Sequence, residues 1–248
     1  MSVIANAEIK SRPVARVVSV VQALDLTKWI DGRPILREIN LDIPSGRFVV
    51  VLGANGAGKS TLLKVLATLT RPSSGDLRLF GQAVGADAAR LRARIGIISH
   101  QSMLYRELSA RDNLVFFGRL YGVRRPEERA MDLLAMVGLA DRADDPVKTF
   151  SRGMTQRAAI ARALVHEPDL LLADEPFAGL DAPAVKALEE LLGRLHGKGK
   201  TIILTHHDVD HSLRMAEQAV VLRAGQVVVD RWARQLDAAT AIREMTAA

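Results

Sequence analysis

The stretch that decides the fold is Gly53-Ala54-Asn55-Gly56-Ala57-Gly58-Lys59-Ser60, which is followed by Thr61. It has the spacing G-x-x-x-x-G-K-[ST] of a loop that cradles phosphates, between an apolar run before it and apolar residues at helical spacing after it. Its glycines let backbone N–H groups turn inward on a polyphosphate, and the helix N-terminus adds a partial positive charge. We therefore expect all nine residues to bind a nucleotide, with Lys59 on the β- and γ-phosphates and Ser60 on Mg²⁺.

The 248 residues have the composition of a globular protein, with 48% hydrophobic and 25% charged side chains. No apolar run approaches the roughly 18 residues of a membrane span, and the N-terminus has no signal-peptide pattern. These features predict a cytoplasmic protein. The absence of cysteine excludes disulfides and thiolate metal sites.

The net charge of +6 raises the question of nucleic-acid binding. However, the basic residues are spread out, the densest clusters are short, and only 4% of residues are aromatic, too few for a base-stacking platform. The charge favours solvated basic faces, or affinity for anionic phosphates and lipid headgroups, over specific nucleic-acid binding.

The chain divides into three parts of unequal length. We expect residues 1–18 to form a loose leader, residues 19–237 to form one nucleotide-binding domain, and residues 238–248 to form a C-terminal tail. Within the domain, the hydrophobic period becomes helical between about 87 and 165, which predicts a helical insert.

Before the phosphate loop, the sequence predicts strands over Val17–Leu26 and Ile35–Ile43, and a turn over Trp29–Pro34 that is built on Asp31-Gly32. After the loop, Leu77–Leu79 and Ile95–Ile98 are the next predicted strands.

Capping residues mark the helices of the insert. Ser109 is a predicted N-cap, Pro126 opens the next helix, and Gly138 closes it. Ser151 is the predicted cap of a third helix that runs to about His166.

Beyond the insert, alternating strands and helices resume. Leu170–Ala173 and Thr201–Thr205 are predicted strands, and an amphipathic helix is expected to start at Pro183 between them. The chain then forms a predicted hairpin about Ala224-Gly225.

An acidic pair, Asp174-Glu175, follows the apolar run Leu170–Ala173 directly. Open α/β sheets place their chemistry at the carboxyl ends of strands. In that position Asp174 can hold Mg²⁺, and Glu175 can polarise an attacking water.

Five motifs occur in the order of an ABC-type ATPase cassette, and the chain resembles this family from about residue 19 to 231. They are Gly53–Thr61, Ser151–Arg157, Leu172–Pro176, Ala178–Asp181 and Thr205–Asp208. The resemblance implies an α/β fold: a P-loop NTPase (RecA-like) core with an antiparallel β subdomain and a helical insert.

The resemblance also implies a second set of ATP contacts. Ser151, Arg152, Gly153 and Met154 match the signature that closes over the γ-phosphate of ATP bound to the partner subunit. Arg152 stands where glycine is usual and Met154 where glutamine is usual. The Ser-x-Gly-Met form resembles cassettes of the ABC-2 exporter type, and an inactive signature is the alternative.

His207 matches the family's switch histidine, which contacts the γ-phosphate and supports Glu175; its neighbour His206 is the rival. An ungapped match puts His100 at the position of the lid glutamine, with Gln101 next to it, and either residue could reach metal or water.

Two further roles follow from the resemblance. Trp29 is the aromatic nearest to the position that stacks on adenine, where it could stack on the base or simply cover the core. Asp181 matches the residue that links the two sites of a dimer.

Short stretches also suggest which type of ABC cassette the chain resembles. Gly96–Gln101, Leu104-Tyr105, Leu108, Asn113-Leu114 and Phe150–Met154 look like the haem-exporter ATPase of cytochrome c biogenesis. A general ABC-2 exporter of drugs, lipids or polysaccharides is the alternative.

We therefore predict an ATP-hydrolysing subunit of a membrane transporter, peripheral on the inner face of the membrane, that uses ATP and Mg²⁺. It would form a homodimer, or pair with a second cassette, and it would need integral-membrane permease subunits that dock near residues 100–113. The rival is a soluble ABC ATPase that acts on ribosomes, DNA or a cofactor-assembly complex.

Overall fold

The computed structural model describes residues 18–85, 88–99 and 101–247. The predicted leader up to Val17 therefore lies outside the described residues. In chain order the strands are β1 (Ser19–Ile30), β2 (Arg33–Pro44), β3 (Phe48–Gly53), β4 (Ser74–Leu79), β5 (Gln82–Ala83), β6 (Ile95–Ile98), β7 (Leu170–Asp174), β8 (Thr201–Thr205), β9 (Gln218–Arg223) and β10 (Gln226–Trp232).

The helices alternate with the strands of the second half of the chain and form a separate group in the middle. They are α1 (Lys59–Leu66), α2 (Ala88–Arg92), α3 (Ala110–Leu120), α4 (Pro126–Met136), α5 (Arg152–Leu164), α6 (Ala182–Gly197), α7 (Val209–Met215) and α8 (Ala238–Thr246). No helix in the described ranges is long and apolar enough to cross a membrane.

The larger sheet has six strands in the order β10-β9-β3-β8-β7-β6. All neighbours are parallel except the β9–β10 hairpin. β3 is buried along its whole length, and its alternate residues enter two different hydrophobic clusters, Val50 on one face and Val51 on the other. The sheet is therefore covered on both faces, as the fold prediction requires.

The smaller sheet is antiparallel, in the order β2-β1-β4-β5. Its buried residues, such as Leu26 and Ile39, share one hydrophobic cluster with Leu62 and Leu66 of α1 and with Val51 of the large sheet. Helix α1 therefore lies between the two sheets, which positions the phosphate loop at its N-terminus.

The middle helices α3 and α4 contact each other and α5, and they bury Leu114 and Leu134 in the cluster on the other face of the large sheet. Asn113 is fully buried in α3. Its Oδ1 accepts from the Tyr105 N–H at 2.7 Å, and its Nδ2 donates to the carbonyls of Tyr105 and Ser109 at 2.9 and 2.8 Å. This side chain therefore fixes the segment that precedes α3.

The predicted helix caps are confirmed. Ser109 Oγ accepts from the Asp112 N–H, and Ser151 Oγ accepts from the Met154 N–H. Gly138 has a φ of 67° immediately after α4.

Several element boundaries differ from the prediction. β1 continues to Ile30, because Trp29 and Ile30 pair with β2, so the turn is only Asp31-Gly32. α6 begins at Ala182 rather than Pro183, because the Asp181 carboxylate caps it by accepting from the Ala184 N–H. The predicted strand Ile95–Ile98 is confirmed as β6, which lies at one edge of the large sheet.

Three helices were not predicted. α2 has five residues and α7 seven, which is too short for a clear helical period. α8 forms within the predicted tail, capped by Asp237, and packs against β9 and β3.

Candidate active site

The phosphate loop joins β3 to α1 in the predicted strand–loop–helix order. Gly58 has a φ of 105°, and a Cβ added there would lie 2.9 Å from both the Ile35 carbonyl oxygen and Leu36 Cδ2, so only glycine fits. The Ala57 carbonyl accepts a hydrogen bond from the Gly225 N–H at 3.1 Å. Strand β2 and the β9–β10 hairpin therefore hold the loop in shape.

The Lys59 ammonium folds back over this loop. Its Nζ donates to the carbonyls of Gly53 and Ala54 at 2.7 and 3.1 Å. An ammonium has three donors, so the geometry leaves it able to bind an anion held by the loop. Lys59 and Ser60 are both half-buried at the N-terminus of α1.

Two parallel strands bring the acidic pair to the same edge of the sheet. In the register of β7 and β8, Asp174 lies beside Thr205. Asp174 is buried, and its Oδ1 accepts from the Thr205 hydroxyl at 2.8 Å. The same Thr205 Oγ accepts from the Glu175 N–H at 3.0 Å. Thr205 thus positions both acidic residues, a role that sequence reasoning missed.

Glu175 has the left-handed backbone φ of 49°, which is uncommon for a residue with a side chain. Its Oε2 lies 3.3 Å from His206 Nδ1 and 3.0 Å from His207 Nδ1. Burial alone would raise the pKa of this carboxyl, but the contacts with His206 and His207 outweigh burial and lower the pKa to about 2. Glu175 is therefore a carboxylate at neutral pH.

The two histidines differ in exposure. The His206 side chain is 9% exposed, whereas that of His207 is 77% exposed. His207 can therefore turn toward a bound ligand, while His206 is confined beside Glu175. The sequence identified His206 only as a rival of His207; the structure places both against the carboxylate.

A cleft of about 640 Å³ brings the predicted residues together. The phosphate-loop residues meet Asp174, Glu175 and His207 there, and Ile35 closes one side. The predicted site residues that line the cleft are Asn55, Gly56, Gly58, Lys59, Ser60, Thr61, Arg152, Asp174, Glu175 and His207.

The signature residues occupy the start of α5. Ser151 and Arg152 are exposed, whereas Gly153 and Met154 are half-buried, and Met154 packs against the core. The side chain of Arg152 lies over Gly179 and reaches the cleft of its own chain. The exposed helix N-terminus at Ser151 has the chemistry of an anion-binding site, since its first backbone N–H groups lack partners within the helix.

Asp181, Trp29 and Gln101 lie outside the cleft lining. Asp181 is exposed and caps α6. Trp29 is 50% exposed in β1, which is poorly suited to covering the core. Gln101 is exposed and its backbone carbonyl accepts from Ser99 Oγ, while His100 lies outside the described residues.

Comparisons with known proteins agree with this geometry. The family model described as "ABC transporter" matches residues 36–178, more than half of the chain. The chain is 35% identical to the daunorubicin/doxorubicin resistance ATP-binding protein DrrA of Streptomyces peucetius, over 85% of this chain and 64% of DrrA. It is 39% identical to the phosphonates import ATP-binding protein PhnC of Stutzerimonas stutzeri, over 83% of this chain and 82% of PhnC.

Among solved structures, the dimeric ATP-binding cassette MJ0796, in a post-hydrolysis state bound to ADP and Pi, matches with a TM-score of 0.79 and 30% identity. The match covers 86% of this chain and 99% of MJ0796. The ABC ATPase cassette fold, with its antiparallel sheet and helical part, is thereby confirmed. The chain is an ATP-binding ATPase, and it belongs to the ABC transporter ATP-binding proteins.

Proposed function

We propose that this chain is the ATP-hydrolysing subunit of an exporter and that it acts as a head-to-tail pair beneath membrane-embedded permease subunits. The observation that carries the proposal is the meeting of Lys59, Ser60, Asp174, Glu175 and His207 in one cleft. These groups are a cation, a hydroxyl, two carboxylates and an exposed imidazole, which suits phosphoryl transfer.

The donors at the base of the cleft fit Mg²⁺, because this ion prefers hard oxygen ligands. Asp174 offers a buried carboxylate oxygen and Ser60 a hydroxyl at the same cleft. These two residues would hold Mg²⁺, which when bound neutralises charge on the β- and γ-phosphates. Lys59 would leave the loop carbonyls and bind the phosphates directly.

Glu175 would orient the water that attacks the γ-phosphate. A carboxylate that is ionised at neutral pH and held between two histidines can accept a hydrogen bond from that water without moving far. His207, the more exposed histidine, would turn to the γ-phosphate while His206 keeps Glu175 in place. The departing phosphate and ADP would then leave through the open side of the cleft.

The second half of each site would come from a partner cassette. The exposed Ser151 and Arg152 lie at a helix N-terminus that can bind the γ-phosphate of ATP on the other chain. Asp181 is exposed as well and would couple the two sites across the dimer. The similar MJ0796 cassette is a dimer, which supports this arrangement.

An aromatic cluster marks the proposed docking surface for the permease. Tyr105 lies 5.2 Å from Phe116 and 6.3 Å from Phe117 between ring centroids. Tyr105, Phe116 and the nearby Leu108 are partly exposed, and Asn113 fixes the segment that carries two of them. Such a patch on the helical part would place the chain on the inner face of a membrane through its partner.

The direction of transport rests on the Ser-x-Gly-Met signature form and on relatives such as DrrA, whose name describes drug resistance. PhnC, whose name describes import, is also similar, so the cassette alone does not set the direction. Haem export stays a narrower prediction that rests on the stretch Gly96–Gln101 and the residues around it. The exporter of drugs or lipids is the broader proposal.

Affinity co-purification of the Glu175→Gln variant with ATP from detergent-solubilised membranes tests the proposal. We expect multi-span subunits to be recovered with the variant, and their identity would narrow the substrate. A docking variant, Tyr105→Ala, should recover less of them, while Leu24→Ala at an exposed position of β1 serves as the control. Recovery of soluble proteins alone, from an extract in which other membrane complexes survive, would overturn the transporter proposal.

A further inference from the structure

Three potential metal ligands converge on one point of the cleft. Glu175, His206 and His207 each offer a ligand atom that lies within 4.8 Å of the other two. Among the residues that the structure describes, no other group of three histidine or acidic ligands converges in this way. The two histidines are neighbours on the strand end after β8, while Glu175 follows β7, so the parallel pairing of the strands creates the cluster.

The distances between the ligand atoms match those around a tetrahedral first-row transition-metal ion. A tetrahedral ion with bonds of about 2.0–2.1 Å places its ligands about 3.3 Å apart. The carboxylate oxygen lies 3.3 and 3.0 Å from the two imidazole nitrogens, close to that edge length. These two distances therefore fit a tetrahedral metal site, and a rotation of the exposed His207 ring can adjust the third edge.

The buried ligand is held rigidly, which lowers the cost of ordering it. The ring of His206 lies 5.0 Å from that of Phe177, 5.5 Å from that of His211 and 4.6 Å from that of His207. These contacts fix the ring beside Glu175. The exposed His207 completes the set from the solvent side, so the site is accessible to an ion.

We propose that Glu175, His206 and His207 form a binding site for a divalent transition-metal ion such as Zn²⁺, distinct in its ligands from the Ser60 and Asp174 pair. Two imidazoles and one carboxylate are borderline ligands that suit Zn²⁺ better than Mg²⁺. Three protein ligands leave a fourth position for water or a phosphate oxygen.

Metal binding here would inhibit ATP turnover. This consequence, unlike the binding itself, rests on the proposed role of Glu175. A carboxylate oxygen bonded to Zn²⁺ cannot accept a hydrogen bond from the attacking water in the same way, and His207 can no longer turn to the γ-phosphate. The protein would then be sensitive to Zn²⁺ even when Mg²⁺ is in excess.

The test is direct titration of the tag-free full chain, without nucleotide, with Zn²⁺ by calorimetry and with Co²⁺ by visible absorption. We expect one ion per chain and the strong absorption of four-coordinate Co²⁺. His206→Gln and His207→Gln should each weaken binding by at least about 100-fold, since even outer-shell partners are worth 10–100-fold. His207 is exposed, so its variant should fold normally.

The matched control is His196→Gln. This histidine also lies beside a glutamate, with its Nε2 3.3 Å from Glu217 Oε2, but it belongs to no group of three ligands among the described residues. The control should bind Zn²⁺ as tightly as the unmodified protein. Equal affinity in the unmodified protein and the His207→Gln variant, or no stoichiometric binding, would overturn the proposed site.

Turnover measured in parallel separates the two claims. Inhibition of the unmodified chain and of His196→Gln over the same Zn²⁺ concentrations that fill the site would support both the metal site and the role of Glu175. Stoichiometric Zn²⁺ binding with unchanged turnover would support the metal site and contradict the proposed role of Glu175 in catalysis.

Discussion

Among the described residues, Lys59 is the only lysine that lines the cleft. Its present partners are two backbone carbonyls of that loop, which a polyphosphate would replace. The exchange turns neutral acceptors into charged ones, and charge-assisted hydrogen bonds are the stronger kind.

Lys59→Ala should therefore weaken nucleotide binding about 10- to 100-fold, because hydrogen bonds to charged groups contribute about 1.5–3 kcal/mol. Titration with a fluorescent ATP analogue measures the change. Lys64→Ala, at an exposed position of the same helix, is the control and should bind as the unmodified chain does. Equal affinity in both variants would remove Lys59 from the phosphate site.

Glu175 gives a pH dependence with a definite sign. Its pKa is lowered to about 2 from an ordinary value of 4.5, so folding favours the charged form. The resulting stability is fully present above pH 4.5 and is lost as the pH falls from 4.5 toward 2.

The stability difference between the unmodified chain and Glu175→Gln should consequently shrink over that pH range. Denaturant unfolding at about pH 7 and at several values between about 5 and 3 measures it. The exposed Glu190→Gln exchange on α6 should show no such trend. A difference that stays constant down to about pH 3 would show that the histidines do not stabilise the Glu175 carboxylate.

The sequence predicts contacts that are local, and it misses those that depend on strand register. The caps at Ser109 and Ser151 were predictable because each hydroxyl binds an N–H three residues on. The contact between His206 and Glu175 spans 31 residues and exists only because β7 and β8 are neighbours. No periodicity or spacing in the sequence reveals that pairing.

At the scale of secondary-structure elements, α3 anchors the segment that precedes it. Asn113→Ala should destabilise the protein by about 1–3 kcal/mol, because it removes a fully buried side chain that accepts from the Tyr105 N–H and donates to two carbonyls. Denaturant unfolding measures the loss. Asp132→Ala, at an exposed position of α4, should change stability little.

The same variant links this element to the proposed docking surface. If Tyr105 contacts a permease, Asn113→Ala should also reduce recovery of membrane subunits, beyond any loss of folded protein. Unchanged stability would contradict the structural role of Asn113, and unchanged recovery from folded protein would contradict the role of this segment in docking.

Some secondary-structure elements were predicted from the sequence and others were not. The strand β3 was predicted because a fully apolar run needs burial on both faces. α8 was missed, although Asp237 caps it by accepting from the Thr240 N–H and its apolar residues lie on one face. Packing against β9 and β3 adds to the helix preference of its alanine, arginine, glutamate and methionine residues.

At the scale of the whole molecule, one chain carries the cleft and the exposed Ser151 at separate places, and Arg152 reaches the cleft of its own chain. The residues for one half-site lie at the carboxyl edge of the large sheet, and those for the other half lie at the exposed start of α5. Two identical chains in head-to-tail orientation would complete two sites at once.

The most direct test of the account is the fate of ATP bound to Glu175→Gln, followed together with the mass of the complex in solution. We predict that the variant with Mg²⁺ and ATP forms a species of two chains that retains intact ATP, with turnover reduced at least about 100-fold because a positioned base contributes about 10²–10⁴-fold. Glu190→Gln should turn over ATP normally. Release of ADP at the unmodified rate by Glu175→Gln would contradict the account.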